Sequence, residues 1–165
     1  MNIWKNFVKP VVVGISITVT FIDKIGYVAR VDGKSMQPYF NPNGVTDYVY
    51  LSHWTIRHFE IHRGDIISFI SPKNPNHRII KRVIGISGDT IRSFKTDEIV
   101  NIPNGYCWVE GDHIGNSLDS NHFGPLSLGL ITAKATFVVW PPSRWQRIKT
   151  ELRYERLPLN LLPLK

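Results

Sequence analysis

The chain has 165 residues, enough for one domain with a full core, and its 42% hydrophobic content is that of an ordinary globular protein. Its single cysteine, Cys107, excludes an internal disulfide, and no Cys/His cluster has zinc-ligand spacing, so neither a metal nor another cofactor is expected. The net charge of +7 lies in the ends: Lys5, Lys9, Lys24 and Arg30 outweigh Asp23, and six basic residues from Arg144 to Lys165 outweigh Glu151 and Glu155, while 31–143 is balanced. A nucleic-acid binder carries its basic stripe on the folded body, so basic ends on a neutral body suit an anionic membrane surface or an acidic partner instead.

Met1 to Lys9 is short, polar and basic. Pro10 to Ile22 runs without a charge but is shorter than the ~20 residues of a membrane span. Asp23-Lys24 interrupts it, and Ile25 to Ala29 is apolar again. As one helix, Pro10 to Ala29 is long enough for an anchor, with the charged pair snorkelling near one interface. Hydropathy alone equally allows a buried or interfacial segment. No Ala-x-Ala-like site follows to mark a cleaved signal peptide. Lys5 and Lys9 face Lys24 and Arg30 across the segment, so charge does not orient it.

Short strands and turns follow. Tyr27 to Val31 alternates into the turn Gly33-Lys34-Ser35-Met36-Gln37-Pro38. Asn41-Pro42-Asn43-Gly44 is a turn cluster, and Asp47 to Leu51 a strand. Arg63-Gly64-Asp65 turns into the apolar strand Ile66 to Ile70, and a polar loop leads to a strand over Ile79 to Ile86. Gly88-Asp89 turns into Thr90-Ile91-Arg92, and Lys95 to Glu98 reads as an exposed loop. Tyr106 to Glu110 is a strand, Gly111 to Pro125 a long polar loop, and Gly129 to Trp140 a closing strand region. Ser143 to Glu155 has helical composition, ended by Pro158. This pattern predicts a mainly β chain. The six histidines are scattered and read as structural or surface residues.

Two positions carry chemistry. A serine on a Gly- and Pro-bounded turn can project its hydroxyl clear of the backbone, as a nucleophile must, although such turns are common without function. On the strand Ile79 to Ile84, alternation puts Lys81 on one face with Ile79 and Val83, and Arg82 on the other with Ile80 and Ile84. A lysine on a covered apolar face loses its proton more easily and becomes a usable base at neutral pH; a solvated strand lysine is the ordinary alternative.

The turn Gly33 to Pro38, Arg63-Gly64-Asp65, Lys81-Arg82-Val83 with Gly88-Asp89, and Gly111-Asp112 followed by Asn116-Ser117-Leu118-Asp119-Ser120 occur in an order that resembles the type I signal peptidases, membrane-anchored serine proteases with a Ser/Lys dyad. The resemblance covers about 28–142. Within the family, Asn121 and the run Trp140 to Trp145 resemble the mitochondrial inner-membrane branch, and of its two catalytic subunits the second. It implies an antiparallel signal-peptidase-like β fold with an N-terminal membrane-anchor helix and a short C-terminal helix. The implied division is a tail and anchor over 1–29, a catalytic domain over 30–143, and a basic helix and tail over 144–165.

The resemblance further implies Ser35 as nucleophile, Lys81 as general base, Ser117 as orienter of the lysine and Asp119 as brace of the loop. The backbone N–H of Ser35 is the expected oxyanion donor. Gly33 stands where relatives can offer a serine hydroxyl, and Met36 with Ile80 to Val83 is expected to line a shallow apolar pocket. Asn121 stands where relatives often carry an Arg that pairs with the loop aspartate. The implied partners are a homologous catalytic subunit, presequence-bearing substrates and membrane lipid, at the mitochondrial inner membrane with the catalytic domain in the intermembrane space. A non-catalytic structural subunit is the rival reading. A self-cleaving repressor would need a DNA-binding domain for which the residues before Ser35 leave no room.

Overall fold

The structure is a computed structural model that describes residues 7–15, 18, 25–56, 60–113, 115 and 117–162. Residues 7–15 form helix α1, exposed throughout. Among the described residues no helix is long and apolar enough to cross a membrane. Much of the expected anchor, Pro10 to Ala29, lies outside them, including Asp23 and Lys24.

The body is an antiparallel sheet. Its strands run in the order β1 (Gly26–Arg30), β2 (Tyr48–Ser52), β9 (Ile131–Trp140), β3 (Ile66–Ile70), β4 (Arg78–Gly85), β7 (Tyr106–Glu110) and β8 (Leu126–Ser127), with β10 (Gln146–Arg147) also on β9. A separate hairpin pairs β5 (Thr90–Arg92) with β6 (Ile99–Asn101). The short apolar runs Ile66 to Ile70 and Tyr106 to Glu110 give strands with those bounds, buried along nearly their whole length. Strand β6 is not among the strands expected from sequence, because three residues after a polar loop carry too little periodicity.

Strand β4 is covered on both sides. Ile80 packs against a core of Val31, Met36, Phe40, Val49 and Ile66; Val83 packs with Ile67, Phe69 and Val109; and Ile84 joins Ile91, Ile102 and Trp108. From Lys81 to Gly85 the strand is buried between these cores, its two charged residues included, while Arg78 at its start is exposed.

The C-terminal stretch corrects the expectation of a helix over Ser143 to Glu155. Pro142–Arg144 and Tyr154–Arg156 are single 3-10 turns, and between them β10 pairs with β9. Ile148 N–H donates to Thr136 O at 2.8 Å, and its side chain is buried in the first core. Tertiary pairing satisfies backbone groups that a helix would have satisfied internally, and overrides local propensity. The strand-forming body therefore includes Gly26 from the segment read as tail, and Arg147 from the segment read as helix.

Candidate active site

Ser35 sits on the turn between β1 and β2, and both limbs of that turn are clamped. Gly33 holds φ +86°, a value that side-chain-bearing residues rarely adopt. Beyond the turn, Asn41 and Asp47 bond reciprocally: Asn41 N–H donates to Asp47 Oδ2 at 2.9 Å, and Asp47 N–H to Asn41 Oδ1 at 2.8 Å. The Asn41 amide also donates to Val31 O at 2.8 Å and to Gly33 O at 3.1 Å. Arg144 then reaches across the sheet. It donates to Asp47 Oδ1 at 2.8 Å, to Asp47 Oδ2 at 3.0 Å and to Tyr39 O at 2.9 Å. Asp47 is fully buried, so the pair works in a low dielectric.

Lys81 comes to this turn from β4, where it stands opposite Ile67. It is 3% exposed, and its Nζ donates to Ser35 Oγ at 2.7 Å and to Ile80 O at 2.9 Å. Burial lowers the lysine pKa to about 8, and the negative charges of Asp119 and Asp112 oppose the shift. Among the described residues no carboxylate stands within ion-pair distance of Lys81. An amine in that state can take a proton from the hydroxyl it touches.

Arg82, the next residue, faces the other way. Its guanidinium forms a two-pronged pair with Asp112, 2.8 Å on each prong, and donates to Gly64 O at 3.0 Å. It lies 4.7 Å from the centre of the Tyr39 ring.

The polar loop packs behind the lysine. Asp119 caps the short helix α2 (Ser120–Phe123) and accepts from Gly111 N–H at 3.0 Å and from Asn121 N–H at 3.1 Å. The Asn121 amide donates to Asp119 Oδ1 and to Glu110 Oε1, 3.1 Å in each case. So Asn121 itself bonds the loop aspartate. Ser117 Oγ is buried and has no hydrogen-bond partner, and thus does not bond Lys81 here.

Gly111, part of the Gly111-Asp112 block, carries no expected role of its own, and its place in the structure supplies one. A Cβ there would lie 2.4 Å from Ser117 Oγ and 2.4 Å from Ser35 O, so only glycine fits between loop and turn. Next to it, His113 N–H donates to Ser35 O at 3.1 Å. Nothing in the spacing of Gly111 or Arg144 marks them as neighbours of Ser35, because long connections bring them there, and Asn41 and Asp47 read only as turn and strand residues of the β1–β2 connection.

A groove of about 340 Å³ holds Ser35 and Lys81, walled by Ala29, Val31, Ile79 and Ile80. Met36 does not line it, contrary to expectation. It is 1% exposed in the first core, because the turn folds it inward opposite to Ser35. Val83 is likewise core, whereas Gly33 sits in the open with nothing within 4 Å of its missing Cβ. The lone thiol offers no rival nucleophile: Cys107 is buried and desolvation pushes its pKa up to about 12. His113 is exposed, and His122 lies 3.9 Å from Asp119. His58 lies outside the described residues.

The model of the family described as "Signal peptidase, peptidase S26" matches residues 4–100 and 92–140. The chain belongs to the S26 signal peptidase family. Members are serine peptidases, and the mainly antiparallel β architecture above is that of this family member. The chain is 52% identical over 160 residues to mitochondrial inner membrane protease subunit 2 of Mus musculus, covering 95% of this chain and 91% of that one. To subunit 1 from the same organism it is 36% identical, covering 71% of each. A signal peptidase I from Enterococcus faecalis superposes with a TM-score of 0.41 at 23% identity, over 46% of this chain and 96% of that chain.

Proposed function

We propose that this S26 peptidase is a membrane-anchored serine endopeptidase that removes sorting presequences with Ser35 and Lys81 as its dyad. The observation that carries the reading is the 2.7 Å contact between Lys81 Nζ and Ser35 Oγ, made by a buried lysine that has no carboxylate partner among the described residues. Neutral Lys81 takes the hydroxyl proton as Ser35 Oγ attacks the scissile carbonyl. The Ser35 N–H faces the charge that develops on the carbonyl oxygen, and a second donor comes from backbone or substrate, since Gly33 has no side chain. The ammonium returns the proton to the leaving amine, and an ester on Ser35 remains. Water then attacks the ester, Lys81 takes the water's proton, and the hydroxyl is restored.

Ser117 would orient the lysine amine once its free hydroxyl turns to it, and Asp119 braces the loop that carries Ser117. Strand β1 is an edge of the sheet, paired only with β2, so an extended substrate can add to its free side along the groove. The small apolar walls suit a small side chain just before the cut.

The setting is read from the relatives. The mouse proteins are named as mitochondrial inner membrane protease subunits 1 and 2. These names support the reading that this chain works at the same membrane with a homologous partner subunit, and we place its catalytic domain in the intermembrane space as part of the proposal. Helix α1 exposes Phe7, Val11, Val12, Val13 and Ile15, an apolar surface suited to lipid. In this reading 1–29 tether the enzyme, 30–143 hold the chemistry, and 144–165 brace the Ser35 turn through Arg144.

The test is cleavage of presequence peptides by the full chain in mild detergent, alone and with its sister subunit. Wild-type protein should cut at the presequence junction and Ser35→Ala should not. A folded wild-type protein inert in both settings, or an active Ser35→Ala, would overturn the proposal.

A further inference from the structure

A second and larger cavity, about 790 Å³, opens on the other side of β4. Among the described residues it shares no lining residue with the Ser35 groove. The two nevertheless adjoin twice. On β4, Lys81 lines the groove and Arg82 the cavity; on the turn, Ser35 lines the groove, and Pro38 and Tyr39 the cavity. The cavity's near wall is Gly111 to His113, the stretch whose backbone donates to Ser35 O at 3.1 Å. The cavity therefore adjoins the back of the serine turn.

Its chemistry narrows the occupant. Three of the cations that face it are paired, the buried Arg82 with Asp112 and the half-buried Arg144 and Arg156 with Asp47 and Glu110, while Lys95 and Arg153 lie exposed at its rim. Among the described residues no buried cation there is left unpaired for an anion. Tyr39, Ile84, Phe94 and Leu152 supply apolar surface between those pairs. The volume lies within the ~300–1,000 Å³ usual for sites that enclose a ligand. Neutralised charge with apolar walls fits a stretch of polypeptide carrying uncharged side chains.

An extended substrate with its carbonyl at Ser35 Oγ must leave the serine in two directions. The groove along β1 takes one arm. We infer that the cavity between β4, the Gly111–His113 stretch and the C-terminal segment takes the other: the part of the substrate that follows the cut, read through apolar side chains in its first several residues. The inference rests on the dyad reading above, and it makes the protein a reader of both sides of the cleavage site.

The experiment uses full-length Ser35→Ala protein in mild detergent, with presequence peptides carrying a benzophenone side chain two residues before or three residues after the cut. The later probe should label the cavity wall at Tyr39, Phe94 or Leu152, and the earlier probe β1 or Ile79 and Ile80. In parallel, wild-type enzyme is given peptides with one or six residues after the cut. The longer peptide should be cut with kcat/KM about tenfold higher or more, because contacts remote from the reacting bond strengthen the transition state. Labelling of the β1 groove by the later probe, no labelling from it, or equal rates for both peptides would each overturn the inference. Labelling needs no turnover. Cavity labelling with a wild-type enzyme that cuts nothing would break the proposed reaction and leave the binding site standing.

Discussion

Lys81 and Arg82 are neighbours on one strand, both cationic and both buried, yet they live in opposite settings. Arg82 has a carboxylate on both prongs, a carbonyl and an aromatic ring. Lys81 has a serine hydroxyl and its neighbour's carbonyl. A guanidinium cannot shed its proton, so burying it demands a partner; an ammonium can, so burying it alone lowers its pKa. Strand alternation is enough to separate the two. The chain thus puts one cation to structural use and leaves the other available for chemistry.

The largest effect expected from breaking this contrast is on rate. Lys81→Arg keeps the charge but supplies a group that cannot act as base, and should lower kcat/KM by ~10⁴-fold or more while the protein stays folded. Ser35→Ala should match it, and the double variant should be no worse, because the two act in one step. Near-wild-type cleavage by purified Lys81→Arg would remove the dyad.

The next effects are on stability, and they should have opposite signs at adjacent positions. Arg82→Met strands Asp112 in a partly buried site and should cost ~3–5 kcal/mol in chemical denaturation. Lys81→Met removes a cation that burial disfavours and should stabilise by ~3 kcal/mol at most near pH 7. The sign follows from proton binding. With a folded pKa of about 8 against 10.5 unfolded, the unfolded chain holds more protons between those values, so wild-type stability rises with pH there. The advantage of Lys81→Met should shrink over that interval. Two destabilised variants would mean that Lys81 is a structural cation like Arg82.

Much of this contrast is legible in the sequence. Ile79 to Ile84 shows by alternation that Lys81 and Arg82 diverge, and the ordered Gly33, Gly88 and Gly111 blocks point to a serine and a lysine that meet. The partners of Arg82 and the clamp on the Ser35 turn are not legible. Asn41 reads as a turn former, and its bonds to Asp47 and Gly33 O exist only once β1 and β2 pair. Arg144 reads as part of a basic helix until β10 pairs with β9 and brings it to Asp47. Met36 looks like pocket lining beside the serine, but a turn points consecutive side chains apart, and the core takes it. Asn121 looks like a lost brace, yet its shorter amide bonds Asp119 from the first turn of α2.

Smaller effects should come from the loop. Gly111→Ala drives a methyl against Ser35 O and Ser117 Oγ and should slow cleavage by about tenfold or more, through a displaced turn. Ser117→Ala should cost less, roughly tenfold or under, since the hydroxyl has no partner before substrate arrives. A reversed order of the two would move the weight of the loop from shape to hydrogen bonding.

The central claim is that Lys81 serves as base because burial has lowered its pKa, and the pH dependence of single-turnover cleavage tests it most directly. The neutral amine is the active form, so the rate should rise with pH through an apparent pKa near 8 and level off above it. The rise should persist when His113 or His122 is replaced by Gln. A rate that is flat from pH 6 to pH 9, or a rise that moves with a histidine substitution, would contradict the account.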